Sequence, residues 1–275
     1  MKKVSQVIVS LVLLMSMMAI SCKKNQNAPD PLPDKLVGLT GGVGAIQYDD
    51  QNRRTYLLGL TTGYYSTTYK YDSEGKVSDI QLFDGYGGGI NHWYDYKINY
   101  TGGIPISGTR AYHEEYNWKS PATTYSVDSI LYKTENGLVT EITYLDRKSY
   151  DVITKKPTGY VVPGIIKKFT LSYASGNLTR VHSDYKTYTF TYGTKKGVGS
   201  ANRMKFVLAE CENPMLYSPN DMLTWQNQIH DVWTSNINSV YTYQYNSSGY
   251  PVSAAVKTTL NTGQVIDGNL SYNYQ

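Results

Sequence analysis

Cysteine is nearly absent from this chain of 275 residues, which has only Cys22 and Cys211. No disulfide framework is available, and a chain this long can bury a core without one. Phenylalanine and tryptophan are scarce too, at 4 each against 28 tyrosines, so most aromatic surface carries a hydroxyl and suits half-exposed strand faces. Concentrated basic charge is missing. Taking Lys2 and Lys3 from the 26 basic residues leaves 24 against 22 acidic ones, and what clustering there is takes the form of isolated pairs such as Lys155-Lys156 and Lys195-Lys196. Nucleic acid is therefore not an expected partner.

Catalytic signatures are also lacking. No serine stands in Gly-x-Ser-x-Gly, and His92, His113, His182 and His230 fall in no metal-ligand spacing. Glu114 and Glu115 are adjacent, so in a strand they point to opposite faces. Gly41-Gly42-Val43-Gly44 is followed by no Lys-Ser/Thr, which leaves it a glycine turn. Neither Asp49-Asp50-Gln51-Asn52 nor Asp72-Ser73-Glu74 has the spacing of a calcium loop. No catalytic residue, metal site or cofactor is expected.

The one long apolar run, Val7 to Ile20, follows Lys2 and Lys3 and is too short to span a bilayer. With Ala19-Ile20-Ser21-Cys22 behind it, it resembles a bacterial lipoprotein signal. The resemblance implies cleavage before Cys22, acylation of that cysteine, and membrane attachment through the lipid. Lys23 stands where retention at the inner membrane would require aspartate, so the outer membrane is the expected location. The organisation that follows is a signal peptide at 1–21, a flexible tether at 22–37 and a single antiparallel β domain at 38–275. The tether's three prolines and few apolar residues fit an extended linker. With Cys22 acylated, Cys211 has no partner and is expected in the core.

What the chain has in abundance is the hairpin outline. Tyr69-Lys70-Tyr71-Asp72-Ser73-Glu74-Gly75-Lys76-Val77 alternates, turns at a glycine and returns. Related outlines recur at Leu131 to Ile142, Phe169 to Val181 and Tyr241 to Val252, with a weaker copy at Tyr96 to Ile106. Tyr188-Thr189-Phe190-Thr191-Tyr192 reads as a strand with aromatics on one face. The fold class is all-β: a curved antiparallel meander of hairpins, open or partly closed as a barrel. One segment departs from it. Ser218-Pro219-Asn220-Asp221, followed by Met222, Trp225, Ile229, Val232 and Trp233 at helical spacing, predicts a packed α-helix near 219–233.

Glu212-Asn213-Pro214, Ser235-Asn236-Ile237-Asn238 and Tyr241 to Pro251 resemble the C-terminal signature of a family of Gram-negative lipoproteins with a porin-like fold. The Tyr-x-Tyr-Asp/Asn-x-x-Gly pattern is also similar, more weakly, to tyrosine-aspartate repeats. The family resemblance implies one strongly curved antiparallel sheet and brings no catalytic residues. It does not imply a membrane-spanning pore, which would need a continuous apolar outer band.

The functional hint is aromatic. Tyr86, Trp93, Tyr94 and Tyr96 gather around a triple glycine, as side chains that stack on sugar rings or peptide groups do. The expected function is a lipid-anchored, non-enzymatic binding or accessory module for a glycan or an envelope protein. An envelope scaffold without a small ligand is the alternative, and a hydrolase comes third.

Overall fold

The computed structural model describes residues 36–40, 43–51, 53–59, 64–86, 90–116, 120–200, 215, 218–229 and 236–274. The predicted signal peptide and tether up to residue 35, Cys22, Cys211, Trp233 and the Glu212-Asn213-Pro214 motif all lie outside the described residues.

Among the described residues sixteen strands follow one another: β1 (Leu36–Thr40), β2 (Val43–Tyr48), β3 (Arg54–Gly59), β4 (Tyr64–Tyr71), β5 (Val77–Tyr86), β6 (Ile90–Thr101), β7 (Ile104–Tyr116) and β8 (Ser120–Glu135). The second half comprises β9 (Leu138–Tyr150), β10 (Pro157–Ala174), β11 (Asn177–His182), β12 (Lys186–Lys196), β13 (Asn220–Ile229), β14 (Ile237–Tyr245), β15 (Pro251–Leu260) and β16 (Val265–Tyr274). Each pairs antiparallel with its neighbours in sequence, as the hairpin pattern predicts. β1 pairs with both β2 and β16, with Leu39 opposite Val43 and Thr40 opposite Ser271, so the strand order returns on itself as a barrel.

Two kinds of turn make the hairpins. At Asp72 and Asn246 a side-chain oxygen accepts hydrogen bonds from the backbone N–H groups two and four residues on, and Gly75 and Gly249 take φ near +80°. That is the glycine-bulge turn expected from Tyr-Asp/Asn-x-x-Gly. The tighter turn at Asn136-Gly137 puts both residues in the left-handed region, as a two-residue hairpin loop requires.

Alternation along the strands turns the apolar side chains inward. Tyr69, Ile80, Tyr96, Ile130, Ile142, Tyr144, Phe169, Leu178 and Val181 are buried in one cluster that runs around the barrel. At about 1.5–3 kcal/mol for each large apolar side chain, this burial is the main source of stability. Many outward positions are polar, such as Asp95, Lys97 and Asn99 on β6, Thr189 and Thr191 on β12, and Gln226 and Gln228 on β13, although Leu131, Val240 and Val252 are exposed apolar side chains. A lipid-embedded barrel has the reverse pattern, apolar outside and polar within.

Tyr160 and Tyr185 are exposed, but many tyrosines sit on the dry side of this wall, among them Tyr69, Tyr96 and Tyr144. Five of them perform one repeated task, donating a hydrogen bond from Oη to a carbonyl near the start of the preceding strand. The pairs are Tyr71 to Arg54 (2.6 Å), Tyr100 to Val77 (2.8 Å), Tyr173 to Val139 (2.8 Å), Tyr192 to Leu178 (2.7 Å) and Tyr243 to Met222 (2.8 Å). At this end of the barrel the tight turns join β4 to β5 and β6 to β7, while the tyrosines join β3 to β4 and β5 to β6. Covalent turns and tyrosine hydrogen bonds thus alternate along the rim.

The predicted helix near 219–233 is not formed, because Asn220–Ile229 is strand β13. A β-bulge explains the misleading spacing. Met222 pairs with Tyr192 and Thr224 with Thr191, so one extra residue separates the inward Met222 from the inward Trp225, which pairs with Phe190. A bulge changes a strand's period of two to three at one point, and there it imitates a helical turn. Ser218 therefore caps no helix, and Asp221 stands in no first helical turn. It accepts hydrogen bonds from Lys195 N (2.9 Å) and Tyr245 Oη (2.7 Å), in space left by the missing side chain of Gly193.

Two outcomes follow from the tyrosine bonds. Tyr173→Phe should cost about 1 kcal/mol in urea unfolding, the net worth of one hydrogen bond. Burial pushes the Tyr71 and Tyr100 hydroxyls up to about 12 from 10.0, so both stay protonated in the fold where an unfolded chain would ionise. Their contribution is complete below pH 10 and is lost as pH rises through about 12. Alkaline unfolding followed by circular dichroism should begin in that window.

Candidate functional site

The four aromatics predicted as a cluster do not share a face. Tyr96 points inward and is 1% exposed. Tyr94, two residues away, lies on the same inner side against Tyr112, with ring centroids 5.1 Å apart. Trp93, next to Tyr94 in the strand, takes the opposite face and therefore lies on the outer wall. Tyr86 ends β5 opposite Ile90, and its side chain lies outside the described residues. One concave platform of Tyr86, Trp93 and Tyr94 is thus not what the pleat produces.

Trp93 instead belongs to a row that strand register assembles from five strands. Phe83, Trp93, His113, Tyr125 and Tyr150 are successive register partners on β5, β6, β7, β8 and β9. Phe83 leans on Trp93 with centroids 4.4 Å apart, and Trp93 stacks with His113 at 5.8 Å and 17°. His113 stacks with Tyr125 at 6.2 Å, and Tyr125 meets Tyr150 edge-on at 5.7 Å. Lys155 Nζ lies 4.3 Å from the Tyr125 ring centroid. All five rings are partly exposed, and cross-strand aromatic pairs of this kind stabilise a sheet by about 0.2–1 kcal/mol each. Trp93 Nε1 is buried without a hydrogen-bond partner among the described residues. No local sequence signal marks this row, since its members lie 10 to 25 positions apart and only register brings them together.

The inner side of the same strands carries a charged centre that sequence reasoning missed. Asp128, 2% exposed, accepts from Arg110 Nη2 at 2.5 Å and from Arg147 Nε at 2.8 Å and Nη2 at 3.1 Å. Arg147 reaches this position through a bulge: Leu145 and Lys148 both take outward register positions, and Asp146 between them has φ near +49°. Arg110 also lies over the Tyr144 ring, 4.3 Å from its centroid. Burial alone would raise the Asp128 carboxyl, but the hydrogen bonds and charges of Arg147 and Arg110 outweigh it and hold the group below the ordinary carboxylate range. Both carboxylate oxygens are occupied, so the arrangement is a clamp across β7, β8 and β9 rather than a proton-transfer site.

No group of three His, Cys, Asp or Glu side chains able to hold a metal occurs among the described residues. His182 Nδ1 is hydrogen-bonded to Thr187 Oγ1 at 2.8 Å, and His230 lies outside the described residues.

No family model and no curated protein matches this chain. Among solved structures it is similar to a porin-like protein from Bacteroides uniformis, at 12% identity over 88% of this chain and 95% of that one, with a TM-score of 0.42. A porin-like protein from Bacteroides vulgatus is also similar, at 9% identity over 88% and 99%, with a TM-score of 0.31. At that level of superposition neither assigns a function to this chain.

Removing the Asp128 charge should be severe. Asp128→Ala leaves the buried Arg110 guanidinium uncompensated and should cost about 3–5 kcal/mol in denaturant unfolding. A loss under about 1 kcal/mol would mean that water reaches the clamp.

Proposed function

We propose that the protein is a lipid-anchored, non-enzymatic binding or accessory module of the outer membrane, and that its ligand is a glycan held along the aromatic row of the outer wall. The observation that carries this reading is the continuous run Phe83, Trp93, His113, Tyr125 and Tyr150 across five strands. Half-exposed rings with polar tips suit sugars, which present both C–H faces and hydroxyls. Lys155 adds a donor at one end of the run. The anchor is Cys22, on the strength of the leader that precedes it.

One observation favours the scaffold reading. The rings lean on one another, with Trp93 between Phe83 and His113, so part of each face is taken up in holding the sheet together. Titration of the chain with glycans and peptidoglycan fragments, read by tryptophan fluorescence, separates the two. Glycan binding predicts saturable quenching in the parent chain, and isothermal titration calorimetry, which does not need the Trp93 indole, should show about tenfold or more weaker binding for Trp93→Ala with folding intact. Absence of a response to every glycan leaves the scaffold. Separately, Cys22→Ser should move the protein from membrane to soluble fractions, and retention in the membrane would overturn the anchor.

A further inference from the structure

The hairpin arm formed by the end of β9, the turn after it and the first part of β10 is built unlike the rest of the wall. β10 has 18 residues and β11 only 6, so β11 pairs with Thr170–Ala174 alone. Among the described residues, the preceding part of β10, from Pro157 to Phe169, pairs with β9 on one side only. This free edge is poorly suited to another strand. Pro157 and Pro163 interrupt it, and three register shifts break its pairing line.

The arm also holds several of the most exposed apolar side chains. Ile153 at the turn is 79% exposed, Ile165 66%, Tyr160 63% and Val161 47%. Val161 and Ile165 occupy outer-wall positions opposite Lys148 and Leu145. Ile153 is held in place, because Asp151 Oδ1 accepts from the N–H groups of Ile153 (3.1 Å) and Thr154 (2.6 Å) and fixes the turn. Around these side chains stand Lys148, Lys155 and Lys156, beside two acidic residues, Asp151 at the turn and Asp146, whose carboxylate accepts from the Gly164 N–H at 2.9 Å. Lys155 has φ near +55°, a conformation in which glycine would sit without strain, so the position gains a positive charge at a cost in backbone energy.

We propose that this arm is a second membrane contact, borne by the protein itself, and that it lies in the headgroup layer of a bilayer containing anionic lipid. The complementarity is specific to that setting. Lysines meet lipid phosphates, tyrosine suits the interface, and isoleucine dips below it. The free backbone edge limits the depth, because unpaired N–H and C=O groups are not tolerated in hydrocarbon but are satisfied among headgroups and water. Reach is no obstacle, since the 14 residue-to-residue steps from Cys22 to Leu36 span at most about 50 Å when extended.

The test uses the chain from Lys23 onward, which carries no acylation site, in co-sedimentation with vesicles of phosphatidylethanolamine and phosphatidylglycerol and with vesicles of phosphatidylcholine alone. Its outcome is therefore independent of Cys22 and of any glycan. Binding should be confined to the anionic vesicles and should weaken as salt is raised. The triple variant Lys148→Ala, Lys155→Ala, Lys156→Ala should bind about a hundredfold less well, and Ile153→Ser with Ile165→Ser about tenfold or more. Thermal unfolding of both variants should match the parent, because the changed side chains are exposed. The proposal is overturned if the parent chain stays in the supernatant, if either variant binds as the parent does, or if phosphatidylcholine is bound equally well. A dimer that buries the arm would overturn it as well.

Discussion

The structure depends on the hydrogen bond from an inward tyrosine hydroxyl to a carbonyl of the preceding strand. A meander of sixteen strands has a weakness at each end, where covalent turns join only alternate neighbours and the seams between turns can fray. Tyr71, Tyr100, Tyr173, Tyr192 and Tyr243 close five of those seams at one end. Between β7 and β8 the role falls to Thr134, whose hydroxyl lies 3.5 Å from the Pro105 carbonyl. Tyrosine suits the task because its ring adds to the core while its hydroxyl reaches the rim.

The two faces of the wall then divide the work. Inside, the apolar cluster and the Arg110–Asp128–Arg147 clamp hold strands together. Outside, a mostly polar surface is interrupted on β5 to β10 by the aromatic row and the exposed arm. The row and the arm meet where Lys155 of the turn lies over Tyr125. An arm resting on headgroups would therefore hold the row beside the membrane surface, where an envelope glycan or protein would be encountered.

Bulges recur at the points where this chain departs from simple alternation. One at Met222–Thr224 keeps both Met222 and Trp225 on the core side of β13. Another at Asp146 turns Arg147 toward Asp128. Others along β10 bend and guard its free edge. In each case one inserted residue re-aims a side chain without breaking the order of the strands.

Local chemistry made much of the fold legible. Alternation marked Tyr188 to Tyr192 as a strand, and the glycine after Asp72 or Asn246 marked the turns, because both signals act over a few residues. The segment 219–233 was misread because a bulged strand and a helix can place apolar residues at the same spacing. The site was hardly legible at all. Trp93 and Tyr94 are adjacent in sequence yet face opposite sides of the wall, whereas Phe83 and Tyr150 are far apart in sequence yet end the same row. The residues alone determined that the chain would turn back repeatedly into an antiparallel meander with its tyrosines in strands. Only the tertiary structure decided which rings meet, which carboxylate is clamped and which strand edge stays free, because those depend on register between strands, and register is fixed by the packing of the whole barrel.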